Sequence, residues 1–233
     1  MKLKSPLKNK DILKSLSDII PHFPEDYENM EYYSPNFCSA NVLLNKSKSI
    51  EEIVNFKSSD DCEFWNHIKD YGRFFKRRFS TAKYTKTFFN ELLELKEQEK
   101  NDLKISINKY MLSVMSVGNN QKYYKKIDRS KARTFWKTQT ENLSEIEKRI
   151  KNIYFLNQDP LSLTKILDCE NSFCFSMLFD DQIDQNLDFL EFINFSRGKV
   201  LLISSNDTVY KRILEEWNCT KIKNKKINIW KNY

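Results

Sequence analysis

Ser34-Pro35-Asn36-Phe37-Cys38-Ser39-Ala40-Asn41-Val42-Leu43-Leu44-Asn45-Lys46 reads as the turn between a short strand and a buried helix. The strand ends near Tyr33, and the apolar run Val42-Leu43-Leu44 opens the helix. A turn of this kind is where a nucleotide-like cofactor lies against the backbone of an α/β protein. Glycines normally line the approach, because they accept a positive φ and put no Cβ in the way. This turn, with Cys38 and Ala40 in it, contains no glycine, and the whole chain holds only three. The stretch keeps the outline of a cofactor loop without the residues that admit a cofactor.

The pattern on either side of this turn is α/β. A helix is expected over 8–20, with Ile12, Leu13, Leu16, Ile19 and Ile20 on one stripe and Pro21 as its stop. Glu52-Ile53-Val54-Asn55 reads as a second strand, and residues 60–72 as a helix carrying Phe64, Trp65 and Ile68. A helical section follows. Helices are expected over Thr85–Glu99, 102–116 and Ser130–Lys151, with a loop at Gly118-Asn119-Asn120. The βα pattern then resumes. Strands are expected at Ile153–Leu156, Ser172–Ser176 and Lys199–Ser205, and helices at Leu161–Leu167 and 186–196. Asn206-Asp207 caps a helix expected to reach Trp217, and two strand-like pieces, 219–223 and 226–230, end the sequence. The expected fold is a doubly wound α/β sheet over 1–72 and 151–233, with a helical insertion over 73–150.

Composition narrows the chemistry. Apolar residues make up 40% of the 233, enough for a real core, so wholesale disorder is excluded. No apolar run is long enough to span a membrane and no signal peptide is read, so the expectation is a cytoplasmic protein with no membrane partner. Five cysteines without a C-x-x-C pair read as reduced thiols. Two distant histidines, His22 and His67, argue against a zinc site or a histidine-based triad.

Several segments, in order, resemble the Dam-type adenine-specific DNA methyltransferases. The opening Pro6-Leu7-Lys8-Asn9-Lys10-Asp11-Ile12-Leu13 is similar to that family's P-G-x-K-x-x-L, and Ile19-Ile20-Pro21-His22 to its I-P-x-H. The 34–46 stretch resembles its E-P-F-x-G-S/G-G/A-x-V-L-L-N-K. Lys48–Phe56 resembles s-x-x-E-x-I-x-N-D, and Phe64-Trp65-Asn66-His67-Ile68 resembles f-w-x-x-l. Arg149–Ile153 is similar to R-L-x-x-V, and Gly198–Ser204 to the late G-k-v-i-l-S strand. The resemblance implies a Rossmann-like methyltransferase sheet with an inserted α-helical sub-domain.

The same resemblance implies that the chemistry is lost. The cofactor loop is degenerate at Phe37, Cys38, Ser39 and Ala40, and Ser34 stands for the family's acid. The acid that would hold the ribose of S-adenosylmethionine is Phe56. The catalytic D/N-P-P-Y, expected after Phe173-Cys174-Phe175, is Ser176-Met177-Leu178-Phe179. A short hydroxyl at Ser176 is a poor acceptor for the adenine amine, and only Phe179 keeps its type, as a stacking platform. A slipped register would offer Asp180-Asp181 as the acids, without the prolines. Cys38 and Cys174 have no basic neighbour of the kind that makes a thiol nucleophilic. No catalytic residues and no cofactor are expected; S-adenosylmethionine enters only if an active enzyme with divergent motifs is the right reading.

Charge is uneven. From Arg73 to Lys151 there are twenty Lys and Arg against nine Asp and Glu, a net of +11, so the rest of the chain carries −4 of the total +7. Arg73, Lys76, Arg77, Arg78, Lys83 and Lys86 interleave with Phe74, Phe75, Phe79 and Tyr84. A second cluster joins Lys122, Lys125, Lys126, Arg129, Lys131 and Arg133 to Tyr123 and Tyr124. Cations mixed with aromatics suit phosphate contact and base stacking, and in the resembled family this region carries target-recognition helices. The bland reading is an aromatic sub-domain core flanked by solvated cations. The expectation is an inactive homologue retained for binding DNA or RNA. The alternatives are a structural or regulatory subunit of a larger assembly, in a virion or host cytoplasm if viral, and an active DNA adenine methyltransferase.

Overall fold

The computed structural model describes residues 3–6, 19–37, 39–178, 187–205, 208–222 and 227–233. The expected helix over 8–20 falls almost wholly outside them, as do Cys38, Phe179, Asp180, Asp181 and the Asn206-Asp207 cap. The chain divides into two compact units. One comprises Ile12–Val42, Lys46–Cys62 and Asn152–Tyr233; the other comprises Met1–Asp11, Leu43–Asn45 and Glu63–Lys151.

The first unit holds a mixed seven-stranded sheet. Its strands are β1 (Glu31–Ser34), β2 (Glu51–Asn55), β3 (Ile153–Leu156), β4 (Ser172–Leu178), β5 (Lys199–Ser205), β6 (Asn218–Lys221) and β7 (Ile227–Lys231). The order across the sheet is β3-β2-β1-β4-β5-β7-β6. The first five run parallel, β7 runs against β5, and β6 runs against β7. This is a Rossmann-like α/β arrangement with a reversed final hairpin.

Alternation along the strands builds two apolar faces. Tyr33, Cys174 and Val200 pack with Phe189, Leu190, Tyr210 and Trp217 in one buried cluster. The residues offset by one, Tyr32, Phe173 and Phe175, form an aromatic layer with Phe23; the Phe23 and Phe173 rings lie 5.0 Å apart, edge to face. The helices here are α1 (Ala40–Asn45), which runs on into the second unit, α6 (Pro160–Leu167), α7 (Leu187–Asn194) and α8 (Thr208–Ile213). The helix expected to reach Trp217 ends at Ile213, and the following residues form a turn into β6.

β4 differs from its expected range of 172–176. Met177 and Leu178 are buried and pair with Ile203 and Ser204 of β5, so the ladder continues to Leu178. Helix α2 (Ser59–Thr81) also outruns its expected end at 72, with a kink at Tyr71. Gly72 lies within it, where an added Cβ would strike the Glu147 side chain. The other helices of the second unit are α3 (Lys86–Gln98), α4 (Asp102–Met115) and α5 (Arg129–Ile150). Thr85 caps α3 by accepting from the Phe88 N–H at 3.1 Å.

One turn is fixed by a buried acid. Asp168 accepts from the Ser196 hydroxyl and from the backbone N–H groups of Arg197 and Gly198, both at 3.0 Å. Gly198 has no room for a side chain, since a Cβ would sit 2.8 Å from the carbonyl oxygens of Cys169 and Ser172. Burial pushes the Asp168 pKa up, but the hydrogen bonds and the Arg197 guanidinium outweigh it and hold the carboxyl below its ordinary range. Asp168→Asn should therefore lower the unfolding free energy at neutral pH by about 1.5–3 kcal/mol. The folded carboxyl titrates below the unfolded value near ~3.9, so its contribution is complete above that pH and fades as pH falls through the folded value. Urea unfolding across that range should show the gap between wild type and variant closing on acidification; a constant gap would contradict this account.

Candidate functional site

The chain order reverses between β1 and β4: β2 and β3 lie to one side of β1, and β4 and β5 to the other. Ligands of doubly wound sheets sit outside the C-terminal strand ends at such a point. The turn after β1, the residue after β2 and the end of β4 are the three places where the cofactor loop, the ribose acid and the catalytic motif were expected.

Asn55, the last residue of β2, is fully buried and organises this edge. Its Nδ2 donates to the carbonyls of Pro35 at 3.0 Å and Gln158 at 2.9 Å, and its Oδ1 accepts from the Gln158 N–H at 2.8 Å. One amide thus ties the turn after β1 to the segment after β3. The backbone adds to it: Phe37 N–H donates to the Asn55 carbonyl at 3.1 Å, and Phe56 N–H to the Leu156 carbonyl at 2.8 Å. The sequence places Asn55 at a strand end and beside Phe56 in the segment resembling N-D, with no role assigned to its amide. The signal was an amide at the end of an apolar strand, where such residues are depleted unless they have partners.

Phe56, where the ribose acid was expected, is a core residue, 5% exposed. Its ring packs edge to face on Phe37 at 5.0 Å and against Phe155 at 5.8 Å. Ser39 and Ala40 are buried at the start of α1, and Ser39 has φ −136°. Among the described residues positive φ occurs only at Gly118, Asn119 and Gln121. The described part of the 34–40 turn therefore uses no conformation that requires glycine.

Ser176 lies inside β4 rather than after it, and it is fully buried. Its hydroxyl accepts from the Asn36 side-chain amide at 3.4 Å, which links the β1 turn to β4. Met177 and Leu178 are buried strand residues, and Leu178 belongs to the apolar cluster under α7. The Cys174 thiol is buried, and that burial pushes its pKa up, the opposite of an activated nucleophile. Lys46, another residue that sequence reasoning did not single out, is also buried. Its ammonium meets Glu52 at 2.5 Å, donates to Ser49 Oγ at 3.1 Å and stands 4.2 Å over the Tyr32 ring.

The second unit carries the cations. Arg73 and Arg77 are exposed, with Arg73 stacked on Phe74 at 4.8 Å. Lys76 is half-buried in an ion pair with Glu147, and Arg78 is half-buried 5.4 Å over the Phe88 ring. Lys83 and Lys86 are exposed. The second cluster stands clearer of the core: Lys122, Lys125, Lys126 and Arg129 are all exposed. A tight loop displays them. Ser116 bridges to Tyr124, Val117 N–H donates to the Tyr123 carbonyl at 2.9 Å, and Gly118, Asn119 and Gln121 take the left-handed region.

The aromatics interleaved with these cations mostly turn inward, which corrects the base-stacking part of the sequence reading. Phe75, Phe79 and Tyr84 are buried, and Phe79 stacks on Trp136 at 5.2 Å. Tyr84 donates to the Lys125 carbonyl at 2.6 Å and packs on Phe135 at 4.3 Å. A helix facing its own core buries one ring every three or four residues and leaves the intervening cations to solvent. Tyr123 is the aromatic of either cluster that stays well exposed, at 68%.

Among the described residues no group of three or more His, Cys, Asp or Glu is placed to hold a metal, and no helix is long and apolar enough to cross a membrane. No protein-family model matches the chain, and no curated protein is significantly similar to it.

Two substitutions test whether the strand-end edge is core. Phe56→Ala should cost about 3–5 kcal/mol of unfolding free energy, as for a buried ring. Asn55→Ala, which strands the buried Pro35 carbonyl and the partly buried carbonyl and N–H of Gln158, should cost about 2–4 kcal/mol. Chemical denaturation measures both, and losses under ~1 kcal/mol would mean that the edge is open to water.

Proposed function

We propose that this chain is a non-catalytic relative of the adenine-specific DNA methyltransferases that binds nucleic acid through the cations of its helical unit. The observation that carries the first half is the ring of Phe56, packed on Phe37 and Phe155 where a cofactor ribose would need a carboxylate. Phe56 keeps its place as a core residue and offers no acceptor for ribose hydroxyls. At β4, Ser176 has no carboxylate or amide to orient an adenine amine. A parallel sheet with its switch point beside β1, ended by a reversed hairpin, supports the methyltransferase-like reading of the frame.

The second half rests on Lys122, Lys125, Lys126 and Arg129, all exposed and presented by one loop and the start of α5. With Phe75, Phe79 and Tyr84 in the core, the contact this surface makes is with phosphates, through charge, and base stacking is minor. The burial of those aromatics also favours a second reading, in which the same cations meet an acidic protein and the chain serves as a subunit of a larger assembly.

Two measurements test this function. Calorimetric titration with S-adenosylmethionine should give no saturable heat; a micromolar dissociation constant would sink the non-catalytic half. Duplex DNA affinity should fall with salt at a log–log slope of about −4 to −5, as expected for roughly five phosphate contacts. Changing Lys122, Lys125, Lys126 and Arg129 together to Glu should abolish that binding while leaving the thermal unfolding midpoint nearly unmoved. Absence of binding to duplex and single strands alike at low salt would replace the nucleic-acid reading with the subunit one.

A further inference from the structure

The helical unit contains a cavity of about 500 Å³ whose lining, Lys125 apart, plays no part in this function. Its long wall is α5. Lys131, Phe135, Thr138 and Gln139 recur at helical spacing on one face and all line it. Lys125, the Lys4-Ser5-Pro6 stretch and, past Gln139 on α5, the carboxylate of Glu141 also line it. The Lys4-Ser5 backbone is pinned in place. The Asn142 side chain donates to the Lys4 carbonyl at 3.1 Å and accepts from the Lys4 N–H at 3.4 Å, and Asn119 donates to the Ser5 carbonyl at 3.3 Å. Two amides thus hold the Lys4 backbone at the edge of the cavity, which brings a third ammonium to its lining.

We propose that this cavity binds a nucleoside 5′-phosphate, either free or as the phosphorylated end of a strand. The inference rests on the nucleic-acid reading above and gives it a ligand subsite. The cavity falls within the ~300–1,000 Å³ range of small-molecule sites, so inorganic phosphate alone would leave most of it empty. Its ends differ in charge. Lys125 and Lys131 also line an adjoining cavity of about 430 Å³ together with Lys126, which concentrates ammonium groups at that end. Lys4 and Lys125 form no ion pair among the described residues, and Lys131 faces Asp128 only at 3.6 Å. Farther along, the half-buried Gln139 side chain makes no hydrogen bond among the described residues, while the half-buried Phe135 ring presents an apolar wall. Lys131 to Gln139 spans about 12 Å at 1.5 Å of rise per residue. Phosphate at the lysine end and a base at the Phe135–Gln139 end satisfy both the charge and the open amide.

The test uses the full chain. Adenosine 5′-monophosphate should bind with a submillimolar dissociation constant by calorimetry, while adenosine and inorganic phosphate alone bind much more weakly. Thr138→Trp, which fills the cavity from an exposed wall position, and Lys131→Glu, at the lysine end, should each weaken the nucleotide by at least about tenfold. Circular dichroism establishes that both variants are folded. A 5′-phosphorylated single strand that binds better than its 5′-hydroxyl twin identifies the strand end as the source; equal binding identifies the free nucleotide. Duplex binding that persists without any nucleotide binding overturns the pocket and leaves the broader function standing. Nucleotide binding unchanged in Thr138→Trp overturns the pocket as well. Nucleotide binding without duplex binding upholds the pocket and removes the duplex-binding function.

Discussion

The amide of Asn55 holds three segments at the C-terminal edge of the sheet. It binds the Pro35 carbonyl after β1 and both the carbonyl and N–H of Gln158 after β3, from its own place at the end of β2. Fully buried, it cannot exchange these bonds for water, so the edge is closed as long as the fold is intact. The direction of Phe56 follows from this. Once Asn55 is fixed and the Phe56 N–H is committed to Leu156, the next side chain sits beside Phe37 and Phe155. The Asn36–Ser176 bond extends the same stitching to β4.

The sheet was legible because strands such as β3, β4 and β5 are short, mainly apolar runs bounded by turn residues, and each strand fell at or within two residues of its expected place. What could not be read was the order of the strands and the reversal of β7, which depend on pairing between segments far apart in the chain. The overrun of β4 has a local cause. Every residue of β4 is buried, polar Ser176 included, and the neighbouring strand β5 decides where the ladder stops. The overrun of α2 has a packing cause: Gly72 inside it makes room for Glu147, which pairs with Lys76. Asn55 and Lys46 were invisible as a clamp and a buried cation because their partners are carbonyls and side chains that sequence spacing does not bring together.

The helical unit separates two properties that the sequence mixes. Along α2 the order Arg73-Phe74-Phe75-Lys76-Arg77-Arg78-Phe79 looks like an alternating basic and aromatic surface. Helical periodicity sorts it instead, with Phe75 and Phe79 inward around Tyr110 and Arg73 and Arg77 outward. Ion pairing and ring stacking then occupy Lys76 and Arg78. The loop cations Lys122, Lys125 and Lys126 avoid this because they belong to no amphipathic helix. Their positions are set by left-handed residues and by the Tyr84 hydroxyl on the Lys125 carbonyl.

A site that awaits a ligand usually keeps polar groups for it, and those groups cost stability while the site is empty. At the switch point of this sheet the polar groups are already used internally. Asn55 makes three bonds, the Phe37 and Phe56 amides are paired, the Phe56 carbonyl accepts from Asn157 at 2.7 Å, and Ser176 accepts from Asn36. A ligand entering between Phe56 and the β1 turn would have to break these bonds and expose a buried ring. Each lost bond to a buried group costs about 1–3 kcal/mol before the ligand forms any of its own. The helical unit differs in kind. Its cations face water and its cavity keeps an open amide, so a ligand there adds interactions without dismantling any. On this physical ground, the helical unit is the better place for a ligand and the strand-end edge of the sheet the poorer one.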